Sequence, residues 1–277
     1  MADKKIFVVT GANKGIGKEI VLALPKAFPQ PVVIYVAARD KSRGDAAVAE
    51  MKKSLGANST AQLEFLALDI SSEDSIREAV AAIKAGPGHI DVLINNAGIA
   101  SKGDAFDADI ARATIATNYY GTKHATLAFL PLIRSGGRIV NVSSMAGKLN
   151  IVQAPLQAQF SDPELTLDKL DSLMESFITA VADGTFKEKG WPRTTYGTSK
   201  LGVTAMTRVL SRQADVREKN IFVAACCPGW CKTDMAGDKA PKSAADGAKT
   251  PVLLATASSV AEWENGGYFT EEKPAKW

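Results

Sequence analysis

The chain has 277 residues, 46% of them apolar and 23% charged, with a formal net charge of +3. That is an ordinary soluble composition, long enough for a full core in one large α/β domain or two small ones. So small and evenly spread a charge argues against nucleic acid, and apolar runs such as 32–38 fall far short of a membrane span.

The first ten residues are a short basic stretch leading into an apolar run without a small-residue cleavage pattern, so no signal peptide is expected. Cys226, Cys227 and Cys231 are an odd number crowded together, which does not make a disulfide framework. They imply a reduced, cytoplasmic setting, where Asn58-Ser-Thr and Asn141-Val-Ser would carry no glycan. Neither His89 nor His124 falls in a ligand pattern near the cysteines, so no metal is expected.

In chain order, residues 5–10 read as a strand buried on both faces. Gly11-Ala-Asn-Lys-Gly15-Ile-Gly17 follows, then a helix pattern over 18–27. A strand, glycine turn and helix present backbone N–H groups and a positive helix end to a pyrophosphate, although the spacing is GxxxGxG rather than GxGxxG. A second buried strand, 32–38, ends at Ala38-Arg39. NAD-binding units place an acid there for the ribose 2′-OH, whereas arginine suits a 2′-phosphate. Lys14, Arg39 and Arg43 supply three cations to that position. Asp40 dissents, yet an acid followed by Lys-Ser also suits a helix start. NADP(H) is therefore expected over NAD(H).

The alternation continues with a helix over 41–55, a strand over 62–68 ending in Asp69-Ile70, a helix over 72–85 and a strand over 91–94. Such βαβ units make a parallel sheet, whose ligands lie beyond the carboxyl ends of the strands. That edge receives Asn95-Asn96-Ala97-Gly98. A long helix between 102 and 133 carries Asn118 near its middle, where an amide disfavours the helix. Residues 138–142 form the next strand, ending in Ser143-Ser144. Downstream, Leu167, Leu170, Met174, Phe177 and Val181 make one amphipathic helix, with a start signal at Ser161-Asp-Pro-Glu164. A helix begins near Tyr196, followed by a strand over 221–225, a helix near 244–257 and a short strand over 267–270.

Tyr196 and Lys200 stand four residues apart, on one helix face. A lysine charge about 4 Å away at an effective dielectric near 20 stabilises a phenolate by roughly 4 kcal/mol, enough to bring a tyrosine towards neutral pKa. Such a tyrosine can pass protons at physiological pH. On its own the pair is unspecific, since many helices carry Tyr and Lys at this spacing without chemistry.

Thr10-Gly-x3-Gly15-x-Gly17, Asn95-Asn-Ala-Gly98, Asn118, Asn141-Val-Ser-Ser144, Tyr196-x3-Lys200 and Pro228-Gly229 occur in the order found in the short-chain dehydrogenase/reductases. The chain resembles that family over essentially its whole length. Gly190-Trp-Pro and Cys226-Cys-Pro-Gly-Trp230-Cys-Lys-Thr-Asp-Met-Ala-Gly237 are similar to the monomeric, NADPH-dependent carbonyl reductases of the animal cytosolic type. Ser144 and Tyr196 are 52 positions apart, as in that branch and unlike most of the family.

The resemblance implies a single doubly wound α/β domain of the Rossmann type, with about seven strands, helices on both faces, and a helical insertion over about 148–190. It implies NADPH held by Gly11, Asn13, Lys14, Gly15, Ile16, Gly17, Arg39, Arg43, Asp69, Ile70, Asn96, Ala97 and Gly98. Tyr196 and Lys200, then Pro228, Gly229, Cys231, Lys232 and Thr233, complete that set. Asn118, Ser144, Tyr196 and Lys200 are the implied catalytic residues, Tyr196 as general acid and Asn118 fixing a water. Ser144, Tyr196, Trp230 and Met235 would meet a small-molecule carbonyl substrate. Ser101 stands where the carbonyl reductases have a phenylalanine associated with glutathione conjugates, so that site is not carried over. The insertion should cover the helix beginning near Tyr196 and leave the protein monomeric. Two rival readings are an alcohol dehydrogenase acting on a terpenoid, alkaloid or steroid, and a non-catalytic NADPH-binding sensor.

Overall fold

The computed structural model describes residues 4–28, 30–101, 103 and 105–277. Strands β1 (Lys5–Thr10), β2 (Val32–Ala38), β3 (Gln62–Ala67) and β4 (Ile90–Asn95) alternate with helices α1 (Gly15–Ala27), α2 (Lys41–Leu55) and α3 (Glu73–Ala85). The β-branched runs of β1 and β2 are buried on both faces, as strands between two helical layers must be. Asp40 is the N-cap of α2, its carboxylate accepting from the Arg43 N–H at 2.9 Å. Ser72 caps α3 in the same way.

The second half begins with α4 (Ala108–Ile115), a π-helical turn (Ala116–Gly121) and α5 (Thr122–Phe129). Then come β5 (Ile133–Val142), α6 (Ala154–Ser161), α7 (Leu167–Ala182), α8 (Thr195–Ser211) and α9 (Ala214–Glu218). Strand β6 (Phe222–Cys227), α10 (Ala244–Thr256), β7 (Tyr268–Thr270) and β8 (Lys273–Ala275) complete the chain. All eight strands form one sheet in the order β3-β2-β1-β4-β5-β6-β7-β8, parallel except for the antiparallel β8. Helices α1, α2 and α10 pack on one face; α3, α5 and α8 pack on the other, with α7 on the outside of α8.

Five sequence expectations change. The sheet has eight strands rather than seven, because Lys273-Pro-Ala275 pairs with β7 as an edge too short and polar to announce itself. Helix α1 begins at Gly15, inside the glycine turn, rather than at Lys18. The single helix expected around Asn118 is two α-helices joined by a π-turn, with Asn118 inside it. The insertion holds two helices, and α7 starts at its cap Thr166, whose hydroxyl accepts from the Lys169 N–H. Ser161 instead closes α6, its hydroxyl donating back to the Gln157 carbonyl. Strand β5 is also longer than expected, starting at Ile133.

Candidate active site

The carboxyl ends of β1, β2, β4, β5 and β6 share one edge of the sheet, and the strand order reverses between β1 and β4. This switch point is where doubly wound sheets bind ligands. Gly11 and Gly15 have φ of +63° and +56°, a conformation that side chains rarely adopt. A Cβ on Gly11 would lie 2.8 Å from the Ala97 Cα, and one on Gly17 would lie 2.5 Å from the Asn96 side chain. The glycine turn is thus pressed against Asn96-Ala97-Gly98, and the Thr10 hydroxyl accepts from the N–H groups of both Asn96 and Ala97 at 3.0 Å. The result is a narrow cradle with bare backbone at the N-terminus of α1, which fits a dinucleotide pyrophosphate. Ile16 faces α10, and Thr233 lies opposite Gly15 across the cradle.

The three expected cations are differently engaged. Lys14 donates to Asp234 at 2.6 Å, bridging the glycine turn to the loop after β6. Arg43 pairs with Asp40 at 3.1 Å, and the Arg43 N–H and guanidinium together hold the Asp40 carboxyl below its ordinary range. Arg39 is exposed at the end of β2. Asp69 accepts from the Ser71 N–H and hydroxyl, at 2.9 and 2.6 Å. Burial raises its carboxyl, but those two bonds and the Arg39 charge outweigh it and hold the group low.

Ser144, Tyr196 and Lys200 are brought together by close backbone contact between two elements. Thr194 caps α8, its hydroxyl accepting from the Gly197 N–H at 3.0 Å. A Cβ on Gly197 would meet the Ala146 carbonyl at 2.6 Å, and one on Gly147 would meet the Lys200–Leu201 backbone at 2.5 Å. Two missing side chains therefore let the turn 145–147 lie flat on the first turns of α8, which brings Ser144 near enough to the Tyr196 phenol to favour its ionised form. Ser144 Oγ accepts from the Ala146 N–H at 3.1 Å, which keeps its own proton available for a further acceptor. Its neighbour Ser143 is buried, bonded to Thr204 and to the Lys200 carbonyl.

Electrostatics at the pair differ from the sequence expectation. Burial raises the Tyr196 phenol to about 12, against the lowering effect of Ser144. The Lys200 ammonium lies 5.8 Å from the phenol ring and donates instead to the Val142 carbonyl at 2.8 Å. Burial brings Lys200 down to about 8, partly opposed by Cys226 and Cys227. The sequence signal of i and i+4 puts both side chains on one face but does not fix where the long lysine stem ends.

Asn118 is fully buried. Its amide accepts from the Ile99 N–H at 2.7 Å and donates to the Ile99 carbonyl and the Ser199 hydroxyl at 2.8 and 2.9 Å. It therefore ties the irregular segment after Gly98 to α8. Cys227 Sγ accepts from the N–H groups of Met145 and Gly229, at 3.1 and 3.3 Å. This sulfur sets the turn after β5 beside Pro228-Gly229. Met145, Trp230 and Met235 are the large hydrophobic side chains exposed among the described residues, at 55%, 54% and 48%. Met145 was not singled out by sequence; its position directly after Ser144 is the signal that could have found it. Cys231 is buried against α10, whereas Lys232 and Ser101 are exposed. Lys102 lies outside the described residues.

A family model described as short chain dehydrogenase matches residues 5–156 and 177–244, stepping over the end of α6 and much of α7. Carbonyl reductase (NADPH) 1 of Bos taurus is 40% identical over 98% of this chain and 98% of that protein. The same-named protein of Mus musculus is 40% identical over 100% and 99%. Among solved structures, salutaridine reductase from Papaver somniferum superposes with a TM-score of 0.83 at 27% identity, covering 97% of this chain and 100% of that one. Menthone neomenthol reductase from Mentha piperita gives 0.81 at 28% identity, covering 98% and 100%. With the glycine cradle, the Ser144–Tyr196–Lys200 cluster and a family match over most of its length, this chain belongs to the short-chain dehydrogenase family.

Proposed function

We propose that the chain reduces ketones, aldehydes and quinones to alcohols with NADPH, and that the reaction runs at the cluster of Ser144, Tyr196 and Lys200. The observation that carries this reading is the close packing of the turn after Ser144 on the start of α8, with the Lys200 ammonium 5.8 Å from the Tyr196 ring, at the ligand edge of the sheet. When bound in the glycine cradle, NADPH supplies the hydride. Ser144 donates a hydrogen bond to the substrate carbonyl oxygen, and the Tyr196 O–H donates a second and then transfers its proton to the developing alkoxide. With its pKa raised to about 12 by burial, Tyr196 holds that proton at neutral pH. Lys200 would hold the nicotinamide ribose, and Asn118 would order the route by which protons reach the lysine.

Arg39, Lys14 and Arg43 form the basis for NADPH over NADH, Lys14 and Arg43 exchanging their carboxylate partners for a 2′-phosphate. Met145, Trp230 and Met235 would wall the substrate, an apolar rim around a polar centre. The rival readings have less behind them. The catalytic set is complete, which a silent sensor does not need, and the higher identity is to proteins named carbonyl reductases. The reading extends to a cytoplasmic protein acting as a single copy, with α7 covering α8.

Tyr196→Phe tests the assignment. The variant should bind NADPH within about twofold of the parent and lose turnover by about a hundredfold or more, the range of one positioned general acid. Turnover retained in a folded variant would sink it.

A further inference from the structure

Asn118 lies in a π-turn, and such turns need something outside the helix to hold them, because their backbone bonding is looser than that of an α-helix. On one side the Asn118 amide is tied to Ile99 and Ser199. On the other, the next residue, Tyr119, is the largest fully buried side chain of the described residues, and its hydroxyl donates to Asp171 Oδ1 on α7 at 2.7 Å. Lys123, buried in the first turn of α5, donates to Oδ2 of the same carboxylate and lies 5.0 Å from the Tyr120 ring. Tyr120 itself donates to Glu175, one turn along α7, at 2.8 Å.

The contacts with α7 begin at the residue directly after Asn118. Helix α8 enters the same junction: a Cβ on Gly202 would meet Met174 at 2.9 Å and the Tyr119 ring at 3.0 Å, two residues beyond Lys200. A shift of the π-turn by one hydrogen-bond register would move Tyr119 off Asp171 and take Asn118 away from Ser199. Asp171 ties the second half of that turn to the start of α5 with one side chain, because its two oxygens serve Tyr119 inside the turn and Lys123 just after it.

We propose that Asp171, supplied by the insertion, is a positioning residue that holds the π-turn and thereby sets Asn118 for the carbonyl reduction. The inference rests on the reductase reading for its effect on rate, and on the turn alone for its effect on structure. It gives α7 a part in the chemistry besides covering α8.

The test compares the whole protein with Asp171→Asn and with the charge-balanced pair Asp171→Leu/Lys123→Met. Asp171→Asn should lower kcat by about tenfold with NADPH affinity within about twofold, since coupling through a packed junction has that size. Hydrogen exchange over 116–121 should quicken in the same variant. The double variant removes a buried pair without leaving a lone charge, so it should melt near the parent temperature while kcat stays low. It also answers the question if Asp171→Asn fails to fold. Parent-like kcat in either folded variant overturns the proposal, as does unchanged exchange over 116–121. A parent protein that turns over no carbonyl with NADPH would instead overturn the reductase reading, and the exchange comparison would still decide whether Asp171 holds the turn.

Discussion

Lys200 carries an ammonium into a site where its side chain is almost wholly enclosed, and the Val142 carbonyl is the acceptor it finds there. Burial lowers its pKa from 10.5 to about 8. Between those values the unfolded chain binds the proton and the folded one does not, so stability rises with pH across that window and the full cost applies below pH 8. A shift of that size corresponds to about 3 kcal/mol, an upper bound. Lys200→Met should therefore unfold at higher urea than the parent at pH 7, lose the advantage as pH approaches 10, and lack turnover. No gain at pH 7 would contradict the assignment of the cost to burial. Tyr196 has the opposite sign: its folded pKa of about 12 exceeds 10, so it lowers stability as pH rises beyond 10, and the comparison belongs below that pH. At this scale the sequence motif identified the residues and left their charges open. Spacing of four fixes a shared face, whereas pKa values follow from burial and from acceptors such as Val142, contributed by another strand.

The insertion is the element that departs most from the common fold. Leu170, Met174 and Phe177 on α7 are fully buried, each such side chain contributing roughly 1.5–3 kcal/mol by removal from water. Trp191, just ahead of α8, packs on Phe160 and Phe177 with ring centroids 5.9 and 5.3 Å apart. With α7 lying on α8, that face is already buried, and light scattering should return the mass of one chain, about 29.3 kDa. A tetramer would contradict this account of the insertion. The apolar stripe from Leu167 to Val181 was legible because helical period depends on neighbours in sequence. The true start at Thr166 was less so, since Asp162-Pro163 presents a competing start signal and the hydroxyl of Ser161 was free to serve either helix. Asn118 marked a weak point in the helix, but the π-turn itself was not legible, because the groups tied to it, Ile99, Ser199 and Asp171, come from elsewhere in the chain.

At the scale of the molecule, the alternation of strands and helices dictated the parallel sheet and its ligand edge, and the glycines at 11, 15 and 17 marked the switch point between β1 and β4. Strand β8 escaped because its pairing depends on β7 rather than on its own pattern. The bridge from Lys14 to Asp234 likewise joins loops 220 residues apart, a contact that only the closed fold creates. Lys14 and Arg43 are paired with Asp234 and Asp40, and the proposed cofactor preference requires those carboxylates to give way to a 2′-phosphate. Steady-state rates of nicotinamide oxidation, measured with NADPH and with NADH over quinones, aromatic aldehydes and α-dicarbonyls, test this most directly. The account predicts reduction of at least one of these classes, with kcat/KM for NADPH exceeding that for NADH by about tenfold or more, the worth of one charge-assisted contact. Faster turnover with NADH, or no reduction with either cofactor, would contradict it.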